Sequence, residues 1–327
     1  MIFDVTSDLI ASLRPVVSEN TRRTPLLKSE WLSSLTGGEV WLKCENLQVT
    51  GSFKARGGFA AMAMEKPGSV VAASAGNHGQ GLALAARRFG VPCTIVVPRS
   101  IPHVKEQAIR SHGARLVRSP FDGYDDTEAW ARDHLDEIGG TFISPFDHPA
   151  VIAGNGGTLG LEIFEEAGEL DAVVVPCGGG GCAIGIGVTA RARSTGTRII
   201  GVNTDASPGM WLSRRDRKAN LRVDSLPTIA EGIEGGVSEN SFRLADRYID
   251  EVVKVREATI RRAVAETALR EHLIVEGSGA AGVAAVMDGQ IRGKKVCIVL
   301  TGSNIDPELF AELLKEAKGT QGPEQSL

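Results

Sequence analysis

A lysine in an otherwise uncharged stretch opens the chemistry of this chain. Lys54 ends the run Asn46-Leu47-Gln48-Val49-Thr50-Gly51-Ser52-Phe53-Lys54. It falls in the first turn of a helix, where the helix dipole opposes a positive charge. Two readings stand: a surface lysine at a helix start, or an amine of lowered pKa that can attack a carbonyl and later move a proton. A second feature, Gly178-Gly179-Gly180-Gly181, follows an apolar strand directly and precedes a helix. Four consecutive glycines carry a large entropic cost. They make sense where bare amides close around an anion at a helix N-terminus, the position that suits phosphate. No Gly-Lys-Ser/Thr follows and no GxGxxG with a later acid exists, which argues against nucleoside triphosphates and dinucleotides. The third feature, Ser74-Ala75-Gly76-Asn77-His78-Gly79, joins a strand to a helix at the expected ligand position of a parallel sheet. Its amides, with Ser74 and Asn77, suit a carboxylate. His78 reads as structural or orienting rather than catalytic, because no Asp or Ser is placed to complete a triad. His103, His112 and His148 give no metal-ligand spacing.

A helix-opening lysine and two strand-to-helix junctions need a sheet to present them. Periodicity predicts a helix over 6–17, capped near Ser7 or Asp8, an extended Thr24-Pro25-Leu26-Leu27 segment and a strand over 39–43. A helix is expected after Ser52 to about Glu65, stopped before Pro67-Gly68. Strands over 70–73, 93–97, 114–117 and 141–143 then alternate with helices over 79–89, 102–112 and 125–137, the rhythm of a parallel sheet. A helix over 151–166, a strand over 172–176, a helix over 183–194 and a strand over 198–203 follow. Residues 204–250 read as irregular and charged, with Arg214-Arg215-Asp216-Arg217-Lys218 on a solvated surface. Helices over 256–271 and 279–287, a strand over 295–300, a helix over 307–318 and a frayed polar tail complete the pattern. Without a repeat or a low-complexity linker, the chain is expected to cross between two α/β sheets.

Composition narrows the class. The 327 residues are 42 % hydrophobic and 23 % charged, ordinary for a soluble globular protein, and suffice for two domains. Forty acids against thirty-six bases leave a net charge of -4, which argues against a nucleic-acid partner. The 39 glycines fall in short loops with no triplet period. Cysteines at 44, 93, 177, 182 and 297 form no CxxC pair, which argues against a zinc ribbon and fits a reducing compartment. The first residues lack the basic-then-apolar pattern of a secretory signal, and no apolar run reaches membrane-spanning length. A cytoplasmic setting without a membrane partner is expected.

A reactive amine, a phosphate cradle and a carboxylate cradle together describe pyridoxal phosphate acting on an amino acid. From Thr24-Pro25-Leu26 to Thr301-Gly302-Ser303-Asn304, the motifs in order resemble the serine/threonine dehydratase family, of the fold type II pyridoxal-phosphate enzymes. The resemblance implies an α/β fold of two open, mainly parallel sheet domains flanked by helices, similar to the tryptophan synthase β chain. Residues 1–50 plus 146–327 would form a large cofactor-binding domain. Residues 51–145 would form a small mobile domain carrying the Schiff-base lysine and the carboxylate loop. In that pattern Lys54 is the Schiff-base lysine, and Phe53 packs along the pyridine ring. Asn77 bonds the ring hydroxyl oxygen, while Ser74, Ala75 and His78 belong to the loop on the substrate carboxylate. Gly178, Gly179, Gly180 and Gly181 form the phosphate loop, with Cys182 adding the next amide. Thr301 stands where serine is usual, as a hydroxyl partner of the ring nitrogen. A neutral partner limits the electron sink and suits β-elimination. Glu276 would lie near the ring or the substrate hydroxyl. The implied enzyme is an ammonia-lyase that converts a β-hydroxy L-amino acid, foremost L-threonine or L-serine, to a 2-oxo acid and ammonia. Lys54 would take the α-proton, the β-hydroxyl would leave, and the assembly would be a homodimer or larger.

Departures from the family pattern bear on substrate. Ala75 stands where serine racemases carry a proton-moving serine. Asn203 follows Gly201-Val202 and Gly209 fills the later acid position, so no divalent metal site is expected, Asp205 notwithstanding. The chain ends soon after its last motif, as expected of a catabolic or specialised enzyme without a regulatory region. Glu231 replaces aspartate in Thr228-Ile229-Ala230-Glu231-Gly232, and the 204–222 stretch with Met210 and Trp211 is unlike the usual version. These leave open a specialised substrate: 3-hydroxyaspartate, a phenylserine or an intermediate of hydroxyectoine breakdown. A sulfhydrylase would want a different asparagine loop, and a catalytically dead binding protein would lose Lys54.

Overall fold

Helix α1 (Ser7–Asn20) starts where the Thr6 hydroxyl accepts the Leu9 amide, so the cap is Thr6 rather than Ser7 or Asp8. Ile10, Leu13 and Val17 of this helix are buried. The computed structural model describes residues 2–320, with side chains through 318, so the frayed tail expected at the C-terminus falls outside the described residues beyond 320. Strand β1 (Leu26–Ser29) pairs antiparallel with β2 (Glu39–Lys43). Between them lies α2 (Glu30–Thr36), not foreseen from the sequence, which the Ser29 hydroxyl caps at the Leu32 amide (2.9 Å). Helix α3 (Lys54–Glu65) then leads into the smaller sheet.

That sheet is built from β3 (Val70–Ala73), β4 (Cys93–Val97), β5 (Arg115–Arg118) and β6 (Thr141–Phe142), in the order β5-β4-β3-β6 and parallel throughout. Its connections are α4 (Asn77–Phe89), α5 (His103–Ser111), and the pair α6 (Tyr124–Asp133) and α7 (Leu135–Ile138). The single helix expected over 125–137 divides at His134, whose ring stacks on Trp130 with centroids 4.3 Å apart.

Helices α8 (Pro149–Ile152) and α9 (Thr158–Ala167) form one helical run with a π-helical turn, Ala153–Gly157, in its middle. The larger sheet has the order β1-β2-β10-β7-β8-β9. Its remaining strands are β7 (Ala172–Pro176), β8 (Arg198–Thr204), β9 (Glu251–Val255) and β10 (Lys295–Val299), parallel to one another and to β2. Helix α10 (Gly181–Ala192) joins β7 to β8. The stretch 204–250 is irregular only in part: it holds α11 (Gly209–Asp216) and α12 (Glu239–Tyr248), with 217–230 irregular between them, and β9 follows. Both helices are short and charge-rich, and α12, capped by Ser238, buries a one-sided face of Leu244, Ala245 and Tyr248 that spans little more than two turns. Arg214 is not part of a merely solvated run either. It donates to the carbonyls of Ala245 (3.2 Å) and Ile249 (2.8 Å) at the end of α12, whereas Arg215, Arg217 and Lys218 are exposed. Helices α13 (Glu257–Glu271), α14 (Gly277–Met287) and α15 (Pro307–Thr320) complete the chain.

Helix α3 touches both halves. Against α4, a Cβ on Gly58 would come within 2.7 Å of the Gly81 carbonyl oxygen, so the two backbones meet without side chains between them. On its other side a buried ion network ties α3 to the larger sheet. Arg56 pairs with Glu45 (2.8 Å) and Glu162 (2.7 Å), and Lys43 also reaches Glu162 (2.8 Å). Thr24 donates to Glu45 at 2.5 Å, completing the satisfaction of a charge cluster that would otherwise be costly to bury.

Candidate functional site

Lys54 opens α3 from a loop stitched to the end of β10. Phe53 donates its amide to the Thr301 carbonyl (3.1 Å), and Ser52 bridges to Gly302. The Lys54 amine donates to the Pro145 carbonyl at 2.9 Å and lies 5.2 Å from the centre of the Phe53 ring. Burial lowers its pKa from 10.5 to about 8, with Cys182 and Glu276 opposing the shift. This is the amine of lowered pKa, not a surface lysine.

The tetraglycine turn connects β7 to α10, which begins at Gly181, two residues earlier than expected. Gly180 has φ +86°, a conformation that favours glycine. Around it there is no room for side chains. A Cβ on Gly178 would lie 3.0 Å from the Ile233 Cα, one on Gly181 would lie 3.1 Å from the Phe146 carbonyl, and one on Gly179 would run into the Phe146 ring. The result is a bare-backbone turn at a helix N-terminus, an anion cradle. Cys182, the next residue, is buried, and its thiol is pushed up and stays neutral. Asn203 supports the turn from below, donating to the Cys177 carbonyl and accepting the Trp211 amide (2.8 Å).

In the Ser74–Gly79 junction the Ser74 hydroxyl accepts the amides of Gly76 (3.2 Å) and Gly79 (3.1 Å), so it shapes its own loop around Ala75. His78 is buried with Nε2 3.0 Å from the Ile143 carbonyl. Burial, reinforced by the Lys54 charge, lowers its pKa to about 3, so it is a neutral anchor of the loop. Asn77 has both ends of its amide engaged: Nδ2 donates to Glu276 Oε1 (2.6 Å), and Oδ1 accepts from Asn304 Nδ2 (2.6 Å). Asn304 also reaches the Thr50 carbonyl at 2.9 Å. Burial raises the Glu276 pKa to about 7, against the stabilising Asn77 hydrogen bond. A Cβ on Gly302 would come within 2.6 Å of Glu276 Oε1, which places Thr301-Gly302 where the Lys54 loop, Asn77 and Glu276 converge.

Lys54, Phe53, Asn77, Glu276 and Thr301 therefore cluster, and Pro145-Phe146 links that cluster to Gly178, Gly179, Gly180 and Gly181. Pro145 and Phe146 carried no sequence signal: one acts through its carbonyl and the other as a packing ring. Asn304 lay in the Thr301-Gly302-Ser303-Asn304 motif, and its polar side chain beside glycine was the available clue. A phosphorylated aldehyde fits these residues: a bare-backbone turn at a helix N-terminus packed too closely for any Cβ, a deprotonatable amine, an aromatic neighbour and amide hydrogen-bonding groups.

Residues 17–302 match the family model described as "Pyridoxal-phosphate dependent enzyme". The chain belongs to this family. It is a fold type II pyridoxal-phosphate enzyme with lyase chemistry, and pyridoxal phosphate is its cofactor. It is 40 % identical over 320 residues to an L-threonine ammonia-lyase of Thermotoga maritima, covering 95 % of this chain and 79 % of that protein. The crystal structure of a T.th. threonine deaminase superposes with a TM-score of 0.85 at 35 % identity, over 92 % of this chain and 99 % of that one. A serine racemase from Dictyostelium discoideum superposes with a TM-score of 0.83 at 32 % identity, again over 92 % and 99 %. Among the described residues of this family member, no group of three or more His, Cys, Asp or Glu could hold a metal ion. No described helix is long and apolar enough to cross a membrane.

Proposed function

We propose that this enzyme is an ammonia-lyase that converts L-threonine or L-serine to the 2-oxo acid and ammonia by α,β-elimination. The observation that carries the reading is the Lys54 amine, half-buried beside Phe53 with its pKa lowered to about 8 and with both cradles nearby. The amides of Gly178, Gly179, Gly180, Gly181 and Cys182 would hold the cofactor phosphate, with Asn77 and Thr301 as hydrogen-bonding partners of the ring and Phe53 along its face. Bound there, the cofactor supplies the electron sink that acidifies the substrate's α-C–H. The chain does the rest. A lysine near neutrality takes that proton at Cα, because its neutral form is populated at physiological pH. The loop of Ser74, Ala75, Asn77 and His78 orients the carboxylate through its amides. Glu276, a carboxyl group half protonated near pH 7 and oriented by the Asn77 amide, would stand where it can give a proton to a leaving hydroxyl.

Ala75 has no proton to move, which supports elimination over racemisation on the second face. Met210 and Trp211 supply little to a specialised pocket: the Met210 methyl lies under Gly180, and Trp211 stacks with Lys254, 3.8 Å from the ring centre. That favours threonine and serine over larger hydroxy amino acids. We further read residues 51–145 as the mobile unit and the assembly as a homodimer or larger. The test is 2-oxo acid release from L-threonine, L-serine, the 3-hydroxyaspartates and L-threo-phenylserine, with Lys54→Ala as control. Turnover of threonine or serine, abolished in the control, is expected. Turnover confined to the other substrates would overturn the assignment.

A further inference from the structure

The helix that carries Lys54 has no cap of its own. Phe53 precedes it in helical conformation, with no side-chain bond to its first turn. Such a helix leaves amide donors without intrahelical partners, and buried ones must be satisfied from elsewhere. One is satisfied from a distant point in the chain: the Gly57 amide donates to Asn155 Oδ1 at 2.7 Å. Asn155 is 2 % exposed and sits at the centre of the π-helical turn Ala153–Gly157. A π-turn inserted in an α-helix re-aims the side chains around it and recurs at functional sites.

This turn is wedged between the two elements whose separation matters. Towards α3, a Cβ on Gly154 would lie 2.5 Å from the Ala60 Cβ and 2.7 Å from the Arg56 carbonyl oxygen. A Cβ on Gly57 would lie 2.6 Å from Asn155 Oδ1. Towards α10, a Cβ on Gly156 would run into the Cys182 carbonyl, and one on Gly185 would lie 2.5 Å from the Gly157 amide nitrogen. With glycine at each contact, the turn is a rigid spacer of backbone thickness. It separates the helix that starts at Lys54 from the helix that starts at the tetraglycine turn.

We infer that Asn155 is a positioning residue: through the Gly57 amide it holds the Lys54 helix at a fixed distance from the phosphate cradle, so that one cofactor engages both. The inference rests on the reading of Lys54 and the tetraglycine turn as the two ends of the cofactor site. A residue that aligns two attachment points strengthens binding only when both points are used. A residue that merely keeps the protein folded weakens binding whether or not the amine is present.

The experiment is a double-mutant cycle on pyridoxal phosphate binding to the cofactor-stripped protein, followed by absorbance, with Asn155→Leu and Lys54→Ala. Helical circular dichroism is recorded for every variant. Asn155→Leu should weaken binding about tenfold when Lys54 is present and less than about twofold when it is Ala. Equal loss in both backgrounds, or no loss in either, overturns the inference. If Asn155→Leu does not give the helical signal, Asn155→Ser, too short to span the same gap, takes its place in the cycle and is judged the same way. Failure of the wild type to bind the cofactor would overturn the site reading as well. Binding without 2-oxo acid release would count against the proposed reaction alone and leave the cycle to decide this inference.

Discussion

Burial moves Lys54 and Glu276 in opposite directions on the pH scale and towards the same end, the uncharged form. The amine falls to about 8 and the carboxyl rises to about 7. Each is therefore poised near the pH at which the other titrates, an arrangement suited to proton transfer in both directions. Their mutual effect has a definite sign: the Glu276 carboxylate favours the protonated amine, so removing its charge must lower the Lys54 pKa further. In the cofactor-free protein, Lys54 modification by trinitrobenzenesulfonate, followed by peptide mapping, should rise with a midpoint near pH 8. In Glu276→Gln the midpoint should lie lower, and an unchanged or higher one would contradict the coupling. Stability carries the same signature. Between about 8 and 10.5 the unfolded chain holds the proton that the folded one has lost, so this group's contribution to stability grows as pH rises through that window. Lys54→Met should abolish that part of the slope in thermal unfolding.

The glycine turn shows what an element asks of its residues. Gly180 needs its positive φ, but Gly179 needs only the absence of a Cβ where the Phe146 ring packs. Gly179→Ala should weaken cofactor binding at least about tenfold, because overpacking displaces the amides of the cradle. Phe146→Ala added to it should recover part of the loss. No recovery would mean that something other than a clash with the Phe146 ring sets the requirement for glycine at 179. The same distinction explains what was legible beforehand. The two strand-to-helix junctions and the Lys54 loop announced themselves because glycine, asparagine and serine interrupt apolar runs there, and strands such as β4 and β7 lie where uninterrupted Val and Ile put them. Helices α2, α11 and α12 did not, because they are short and held by caps and tertiary contacts rather than by a long apolar stripe. Asn155 and the π-turn sit inside an otherwise regular helical pattern, where no periodicity marks an inserted residue. Pro145 contributes a carbonyl, which every residue has. What escaped the sequence was not the reactive groups but the parts that hold them in place.

At the scale of the whole molecule, the elements of the two sheets are joined by ion pairs as well as by α3. Lys105 on α5 pairs with Glu231, and Asp126 on α6 pairs with Arg222 at 3.1 Å. Asp125 also lies close to Gly235, whose Cβ would stand 3.1 Å from Oδ1. The segment around 221–236 thus straps the larger half onto the helices of the smaller one. Charges are unevenly shared there: Glu234 is half-buried, and burial with Glu231 nearby raises its pKa to about 7, with Lys105 acting in the opposite direction. Exposed pairs of this kind are worth no more than about 1 kcal/mol, a factor of five or so in an equilibrium, and less in salt. They cannot hold the halves together, but they can bias a closing motion. On the proposal that residues 51–145 are the mobile unit, closure would follow substrate entry, and the loss of these pairs should then appear in KM rather than in the chemical step. Lys105→Met should raise KM for the amino acid by about twofold to fivefold with kcat little changed, and should flatten the dependence of KM on sodium chloride. A fall in kcat at unchanged KM would place Lys105 in the chemistry instead. A KM that still climbs with salt in the variant would move the electrostatic bias to Arg222 and Asp126.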